Sequence, residues 1–459
     1  MKNELVSIIV DAKEYRVKNA SLLIDLLIQE DIKVPYFCYH EALGADGNCR
    51  MCMVGIEGQK RPQIACDTLV KEGMVVNTQS ETIREVRTNV LELELINHPV
   101  DCPTCDQAGE CSLQNFYMDY GLYTSKITKA EKVKHDKALD LGANVMLDQE
   151  RCVLCARCTR FTADITKTHE LGIVGRGDDA KVTTMPGRKL ENDYAMNVVD
   201  LCPVGALTSK DFRFAQRVWF LQSSDAICHG CAKGCNITID HNKLKYKDDV
   251  IYRFRPRRND AINGFFICDA GRLSYKELQK NRQESATLNG KELSHEEALK
   301  NFHDLLSLHQ NSVAVVIDAN LYTEEIESII NFAQTIDAKI YAPLDIYKDE
   351  SFGDDMLKSS MRAANYKTVE NLGLDTSEPS DANLIINFNH PQDFSAHSKV
   401  NFLTHKRENS ALTLPITAYT ESAGSLTNED NITQYTKQIV FKNSPLPTIS
   451  EYLKGLNYE

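Results

Sequence analysis

Residues 152–158 read CVLCARC, and a Cys-Pro pair follows much farther along the chain at Cys202 and Pro203. Three cysteines separated by two residues each, with a remote Cys-Pro, resemble the ligand spacing of bacterial ferredoxins. This spacing is awkward for the tetrahedral geometry that zinc requires. The stretch therefore predicts an iron–sulfur cluster of the [4Fe–4S] type. Its ligands would be Cys152, Cys155, Cys158 and Cys202.

The other cysteines fall into three further sets with different spacings: C-x10-C-x2-C-x13-C, H-x3-C-x2-C-x5-C and C-x2-C-x3-C-x32-C. Their members are Cys38, Cys49, Cys52 and Cys66; His98, Cys102, Cys105 and Cys111; and Cys228, Cys231, Cys235 and Cys268. The four sets use all 15 cysteines, and one histidine completes the sixteen ligands. This closure explains why the number of cysteines is odd.

Each further set carries its own prediction. The Cys38 set has the close pair and remote fourth cysteine of plant-type ferredoxins, which predicts a [2Fe–2S] cluster. The His98 and Cys228 sets predict [4Fe–4S] clusters, and zinc remains an alternative at the Cys228 set. A lone histidine is usually a surface or core residue. His98, however, precedes three cysteines that lack a fourth ligand, so we interpret it as a ligand that would raise the reduction potential.

Composition narrows the class of protein. The chain has 459 residues, 42% of them hydrophobic and 25% charged, as in soluble globular proteins. Its formal net charge of −13 disfavours nucleic-acid binding. Cysteine-rich disulfide scaffolds are short and secreted, so metal binding is the better interpretation. Without a membrane-spanning run or signal-peptide pattern, we expect a cytoplasmic protein that contacts a membrane only through partners.

Periodicity gives a coarse map of the elements. In the N-terminal region, strands are predicted over 6–10, 15–17, 53–56 and 74–76, and a helix over 21–29. Thr78 and Glu81 match a capping box, which predicts a helix from about Gln79 to Asn97. Its apolar face would carry Ile83, Val86, Val90 and Leu93.

No cysteine follows Cys268, and this C-terminal tail alternates strands with helices. Strands are predicted over 312–317, 339–341 and 384–388, and a helix over 324–335. The alternation favours a mainly parallel sheet. We therefore expect a multidomain α+β protein with a ferredoxin-like β-grasp domain, loop-rich cluster domains and a C-terminal α/β domain. The expected boundaries are 1–77, 78–120, 121–222, 223–275 and 276–459.

Two other patterns have ordinary interpretations. Gly172, Gly175 and Gly177 have the order G-x-x-G-x-G, which differs from a dinucleotide fingerprint, so we expect a loop. The basic run of Arg253, Arg255, Arg257 and Arg258 is interpreted as a solvated face, with docking to an acidic partner as the alternative. No catalytic constellation is evident, so no catalytic residue is predicted.

The four sets, in this order, resemble the large iron–sulfur subunit (the G subunit) of bacterial NADH:quinone oxidoreductase, respiratory complex I. HPVDCPTCDQAGECSLQ at 98–114 and NVVDLCPVGALTSKDFRFAQRVW at 197–219 carry the resemblance. It is strong to about residue 275. MRAANYKTVENLG at 361–373 and TESAGSLTNED at 420–430 extend it weakly toward a molybdopterin-oxidoreductase-like domain.

The resemblance implies an electron relay on the cytoplasmic side of the bacterial inner membrane. Electrons from a flavin-bearing donor subunit would enter at the Cys38 set, pass to the Cys152 set and then to the His98 set. A ferredoxin-like acceptor subunit nearer quinone would follow. The Cys228 set would hold a cluster off this path.

The tail is shorter than the family's usual domain, and Ala270 replaces a common basic residue. We therefore expect no pterin cofactor and a structural tail. The alternatives are an electron-transfer subunit of an NAD-linked hydrogenase or formate dehydrogenase, and a non-redox zinc scaffold.

Overall fold

The computed structural model describes residues 4–242, 250–310, 312–407, 411–440 and 445–455. The chain forms two compact units, Met1–Trp219 and Phe220–Glu459. Each unit is described separately. No helix in the described ranges combines the length and apolar character needed to cross a bilayer.

The first unit begins with a five-stranded sheet. Strands β1 to β5 form this sheet, and β6 to β10 lie elsewhere in the unit. The strands are β1 Leu5–Val10, β2 Lys13–Lys18, β3 Met53–Ile56, β4 Gln63–Ile64, β5 Val75–Asn77, β6 Leu139–Asp140, β7 Val145–Leu147, β8 Leu171–Val174, β9 Lys181–Thr184 and β10 Leu207–Ser209. The strand order is β2-β1-β5-β3-β4, with β1 and β5 parallel and the other neighbours antiparallel.

The helices of this unit are α1 Leu23–Gln29, α2 Glu81–Asn97, α3 Ser112–Asp119, α4 Arg157–Arg160 and α5 Asn197–Leu201. Helix α1 buries Leu23, Ile24 and Leu27 in the same core as Ile8 of β1. Alternation along β1 turns Val6, Ile8 and Val10 into that core and leaves Leu5 and Ile9 exposed, so the strand is buried on one face only.

Helix α2 differs from its prediction at both its cap and its face. Ser80, not Thr78, is the N-cap, and its side chain accepts a hydrogen bond from the backbone N–H of Ile83 at 3.4 Å. Thr78 instead donates its hydroxyl to the Asp11 carboxylate. The predicted face member Leu93 is 67% exposed. Arg87 occupies the buried stripe because its guanidinium donates to backbone carbonyls.

The second unit contains an antiparallel three-stranded sheet, a two-stranded ribbon and a large mixed sheet. Its strands are β11 Leu221–Ile227, β12 Asn236–Asn242, β13 Ile251–Pro256, β14 Ala286–Leu288, β15 Lys291–Leu293, β16 Val313–Ile317, β17 Lys339–Tyr341, β18 Leu384–Phe388, β19 Ser398–Leu403, β20 Leu412–Pro415, β21 Gly424–Thr427 and β22 Thr433–Thr436. Its helices are α6 Asp269–Leu273, α7 Tyr275–Leu278, α8 His295–Leu308, α9 Thr323–Thr335, α10 Tyr366–Asn371 and α11 Ile449–Gly455.

The large sheet has the order β15-β14-β20-β19-β18-β16-β17. The five strands from β16 to β20 pair in parallel, as the alternation of strands and helices predicts, and β14 and β15 add an antiparallel edge. Phe388 and Phe402 stack at 4.7 Å between ring centroids in the core beneath the helices. This core contains no cysteine among its described members.

Candidate metal centres

The Cys152 set surrounds one small cavity. Cys152, Cys155, Cys158 and Cys202 all line it, together with apolar side chains such as Leu147 and Val204. Leu154 and Ala156, which lie on either side of Cys155, adopt left-handed backbone conformations, with φ of 48° and 57°, so the chain bends between the close cysteines. The cavity has four converging sulfur donors and an apolar wall, the environment expected of an iron–sulfur cage.

Burial makes the thiols of this cavity weaker acids. Burial raises the pKa of the Cys155 thiol to about 12, and burial likewise raises the pKa of Cys152, Cys158 and Cys202. A thiolate in such a place needs a compensating positive charge, which iron supplies. The backbone N–H of Leu154 donates to the Cys152 sulfur at 3.4 Å, a contact that also favours the thiolate.

The His98 set surrounds a second cavity, lined by His98, Cys102, Cys105 and Cys111. Burial lowers the pKa of His98 to about 4, so its ring is neutral at neutral pH, as a metal ligand must be. The backbone N–H of Val100 donates to Nδ1 at 3.1 Å, which leaves the ring proton on Nε2. Binding through Nε2 would therefore require that proton to move to Nδ1.

Gly205 closes this cavity at close range. A Cβ on Gly205 would stand 2.3 Å from the sulfur of Cys105 and 3.0 Å from Cβ of Gln107. The segment after Cys202 therefore passes directly over a ligand of the neighbouring set. The cysteine spacing did not single out Gly205, although it lies within a quoted segment, CPVGA.

The Cys38 set gathers its four sulfurs into one group. Cys49 and Cys66 donate to the Cys38 sulfur, which lowers the pKa of Cys38, and Cys66 also donates to Cys52. All four thiols are buried. The backbone N–H of Phe37 donates to the Cys49 sulfur at 3.4 Å. The four sulfurs are buried and in mutual contact, which fits a [2Fe–2S] site.

The Cys228 set lies in the second unit around two glycines. A Cβ on Gly271 would stand 3.1 Å from the Cys228 sulfur and 3.3 Å from the Cys268 sulfur. The backbone N–H of Gly271 donates to Cys268 at 3.2 Å. A Cβ on Gly230 would stand 3.4 Å from the Cys228 sulfur. A side chain at Gly271 would therefore crowd two sulfurs of the set, whereas a Cβ at Gly230 would make only an ordinary contact.

Both quoted tail segments contact the loop of the Cys228 set. Arg362 donates to the carbonyl of Gly230 at 2.9 Å. From the second segment, the backbone N–H of Glu429 donates to the carbonyl of Ala232 at 2.9 Å, and Lys233 pairs with Asp430 at 2.9 Å. The tail thus supports this loop directly, a role that the sequence alone did not reveal.

Two arginines of α4 join the Cys38 and Cys152 sets. Arg157 donates to the carbonyls of Tyr39 at 2.6 Å and Leu201 at 3.1 Å. Arg160 donates to the carbonyls of Cys38 and, at 3.0 Å, Leu43. The arginines were not predicted, because side chains that bind carbonyls leave no signature in the cysteine spacing.

A separate junction joins the Cys152 and His98 sets. Arg151 binds both carboxylate oxygens of Asp101, at 3.0 and 2.7 Å. The backbone N–H of Ser112 donates to the carbonyl of Pro203 at 3.0 Å. The Cys152 set therefore contacts both other sets of the first unit.

Within the described ranges, no group of three or more His, Cys, Asp or Glu side chains converges as ligands of a single metal ion do. Around an iron–sulfur cluster the ligands do not share one iron: each binds its own iron in a [4Fe–4S] cluster, and two bind each iron in a [2Fe–2S] cluster, so the set as a whole is wider than a single-ion site. The cavities, buried thiols and neutral imidazole fit such a cage.

Local structure explains the glycine pattern at 172–177 and the arginine run at 253–258. Gly175, at φ 81°, lies in the turn that joins β8 and β9, where a Cβ would stand 2.4 Å from the carbonyl oxygen of Asp179. The arginine run is paired internally: Arg253 and Arg255 bind Asp240, Arg257 contacts Asp225, and Arg258 binds Asp260. The glycine pattern therefore belongs to a β-hairpin, with Gly172 in strand β8, where the sequence predicts a loop.

Three family models match the chain. The 2Fe-2S iron–sulfur cluster binding domain matches residues 3–81. The NADH-ubiquinone oxidoreductase-G iron–sulfur binding region matches residues 87–126. The ferredoxin-like domain of NADH-quinone oxidoreductase subunit 3 matches residues 142–208. The matches cover the Cys38 set, the His98 set and the Cys152 set in turn.

Curated relatives agree with these matches. The NADH-ubiquinone oxidoreductase 75 kDa subunit of Reclinomonas americana is 35% identical over 84% of this chain and 56% of its own length. The NADH-quinone oxidoreductase G subunit of Rickettsia typhi is 37% identical over 68% of this chain and 46% of its own length. Its counterpart in Streptomyces coelicolor is 38% identical over 60% of this chain and 32% of its own length. The chain spans about half the length of the first relatives it matches.

A solved structure of an NAD+-reducing [NiFe]-hydrogenase in the H2-reduced state is also similar. It is 26% identical, covers 46% of this chain and 91% of its own, and has a TM-score of 0.42. A likeness at this score does not decide between the two kinds of electron-transfer subunit.

Proposed function

This chain is a homologue of the G subunit of NADH-quinone oxidoreductase, and on that premise we propose that it is an electron-transfer subunit of a complex I-type oxidoreductase. The observation that carries the proposal is the arrangement of the first unit. There, the Cys152 and His98 sets each line one small cavity, and the Cys38 sulfurs form a buried group. Bound iron–sulfur clusters would supply one-electron transfer at these positions.

We assign one [2Fe–2S] cluster to the Cys38 set and one [4Fe–4S] cluster to each of the other three sets. The chain's own residues have three tasks here. They supply thiolate or imidazole ligands, exclude water with apolar walls, and donate backbone N–H groups to sulfur, which tunes each potential. No residue of this chain breaks or forms a substrate bond in this proposal.

The contacts support an order for the relay. The Cys152 set touches both neighbours, through Arg157 on the Cys38 side and Arg151 on the His98 side. These contacts support a middle position for the Cys152 set, and the resemblance to the G subunit implies that electrons enter at the Cys38 set and leave at the His98 set. The donor is a flavin-bearing or other subunit, and the acceptor is a ferredoxin-like subunit nearer quinone. The assembly is peripheral, on the cytoplasmic side of the bacterial inner membrane.

In this proposal the chain has five domains. Residues 1–77, 78–120 and 121–222 hold the three clusters of the relay, and 223–275 holds the Cys228 set. Residues 276–459 form a shortened molybdopterin-oxidoreductase-like domain without pterin. The contacts of Arg362 and Glu429 with the Cys228 loop support a structural role for this tail.

Iron and acid-labile sulfide analysis of anaerobically purified protein tests the proposal. The cluster assignment predicts about 14 iron atoms per chain with an equal amount of sulfide, since a binuclear cluster holds two and a tetranuclear cluster four. Dithionite should bleach the visible absorbance reversibly. Stoichiometric zinc without sulfide would instead establish the scaffold alternative.

A further inference from the structure

Arg157 is a buried cation without a buried anion to match it. Its side chain is 8% exposed, and its Nε has no hydrogen-bond partner. The groups whose charge acts on it are the thiols of Cys155, Cys202 and Cys38 and the phenol of Tyr36. In the described part of the chain, no carboxylate pairs with it. Burying an uncompensated guanidinium is costly, so the site implies negative charge nearby.

Arg157 contacts two ligand loops at once. One guanidinium nitrogen donates to the carbonyl of Tyr39, the residue after Cys38, at 2.6 Å. Another donates to the carbonyl of Leu201, the residue before Cys202, at 3.1 Å. The planar fork of arginine can hold two acceptors in fixed directions, which a lysine ammonium cannot reproduce.

We propose that Arg157 is a positioning residue for electron transfer between the Cys38 and Cys152 sets, fixing their separation and favouring the reduced state of both through its charge. The inference rests on the function proposed above. One electron leaves the first set and the same electron enters the second. Arg157 gains and loses no proton and forms no bond in the step.

The physical reason is electrostatic. Reduction adds one negative charge to a cluster, and a fixed positive charge in a poorly hydrated site stabilises that charge more than it would in water. Because the guanidinium binds the carbonyls next to Cys38 and Cys202, removing its charge should shift both potentials in the same direction. A residue that only held the loops together would not move both in this way.

The test is an EPR-monitored reductive titration of the whole chain, purified anaerobically, with the variants Arg157→Gln and Arg157→Lys. In Arg157→Gln, the ratio of reduced to oxidised cluster at a given potential should fall about tenfold for both sets, which is about 59 mV for a one-electron couple. Arg157→Lys keeps the charge, so both ratios should stay within about twofold. Its loss of the two-point contact should weaken the magnetic broadening between the two signals.

A second buried arginine serves as the control. Arg87 is buried and binds the carbonyls of Met53 and Thr78. Arg87→Gln should leave the ratio at the Cys152 set unchanged.

The proposal is overturned if Arg157→Gln leaves both ratios within twofold of the parent, or if Arg157→Lys shifts them as far as Arg157→Gln does. If Arg157→Gln fails to retain iron, the test rests on Arg157→Lys alone. In that case the proposal is overturned if the magnetic broadening between the two EPR signals is the same in Arg157→Lys as in the parent chain. Failure of the proposed function looks different, because the parent chain itself would lack iron, sulfide and both signals.

Discussion

At the scale of single residues, Gly205 has a role that depends on its lack of a side chain. Its Cα lies so close to the Cys105 sulfur that a methyl group would stand 2.3 Å away. Gly205→Ala should therefore displace Cys105 and remove the cluster of the His98 set. We expect about four fewer iron atoms per chain and loss of one EPR signal.

Gly55→Ala is the matched control. Gly55 lies in the same unit, and its added Cβ would meet neighbours only at 3.6 Å or more. This variant should keep its full iron content. If Gly205→Ala also keeps it, the close approach in the structure does not constrain the ligand.

His98 gives a second prediction at this scale. Replacing it with alanine removes the sixteenth ligand, so His98→Ala should perturb one EPR signal and leave the signals of the other three sets intact. His135, a histidine that contacts the backbone carbonyl of Asp178, provides the control substitution. Four unchanged signals in His98→Ala would contradict its assignment as a ligand.

The candidate ligands could all be named from the sequence, because thiolate spacing along the chain reflects the geometry of the cage. The residues around them could not. Arg157 donates to a carbonyl 118 positions away, and Gly205 approaches a sulfur from another loop. Such contacts depend on tertiary structure, and neither glycine nor arginine has a spacing that identifies its target.

At the scale of elements, short apolar strands were predicted better than helix termini. Strands β3, β17 and β18 begin and end where the sequence predicts. The predicted start of α2 was wrong because two polar side chains bind groups around the expected N-cap. Asn77 accepts the backbone N–H of Ser80 at 2.6 Å, and Asp11 draws Thr78 away from the helix. Since Asp11 lies in a distant part of the chain, local pattern gave no warning of this competition.

Helix α9 gives a prediction about pH. Glu325 is 8% exposed in its first turn, and burial raises its pKa to about 7, although the hydrogen bond from the Tyr322 backbone N–H opposes the shift. The folded pKa is above the ordinary value of 4.5, so protonation favours the folded state. This stabilisation is complete below pH 4.5 and is lost as the pH rises toward 7.

Glu325→Gln should therefore raise the thermal midpoint much more at pH 8 than at pH 5, since glutamine stays neutral and can still accept from Tyr322. The loss that it removes is about 3 kcal/mol at pH 8. Glu327→Gln, at an exposed position of the same helix, is the control and should change neither midpoint. Equal effects of the two variants at pH 8 would contradict the role of burial.

At the scale of the whole molecule, the described structure has two kinds of interior. The core around Phe388 and Phe402 is closed by apolar side chains from helices and a seven-stranded sheet. Around the Cys152 set, by contrast, apolar walls surround a cavity whose sulfur donors face inward. The alternating pattern of the tail was enough to predict the first kind. For the second kind, the sequence predicted only the ligand residues. The walls of the cavity come from irregular loops, whose sequences have no periodicity.

This contrast predicts how the protein responds to loss of metal. Removing iron and sulfide under reducing conditions leaves the Cys152 cavity lined with thiols and apolar groups that have no occupant. Because binding of the metal is then no longer available to stabilise these loops, amides between Cys152 and Cys202 should exchange at least about a hundredfold faster with deuterium. Amides of β16 and β18 should change by less than about tenfold, because the core beneath them is complete without metal. Hydrogen exchange followed by mass spectrometry measures both regions in one sample. A uniform loss of protection would mean that the tail also depends on the clusters, whereas unchanged protection between Cys152 and Cys202 would mean that these loops fold without them.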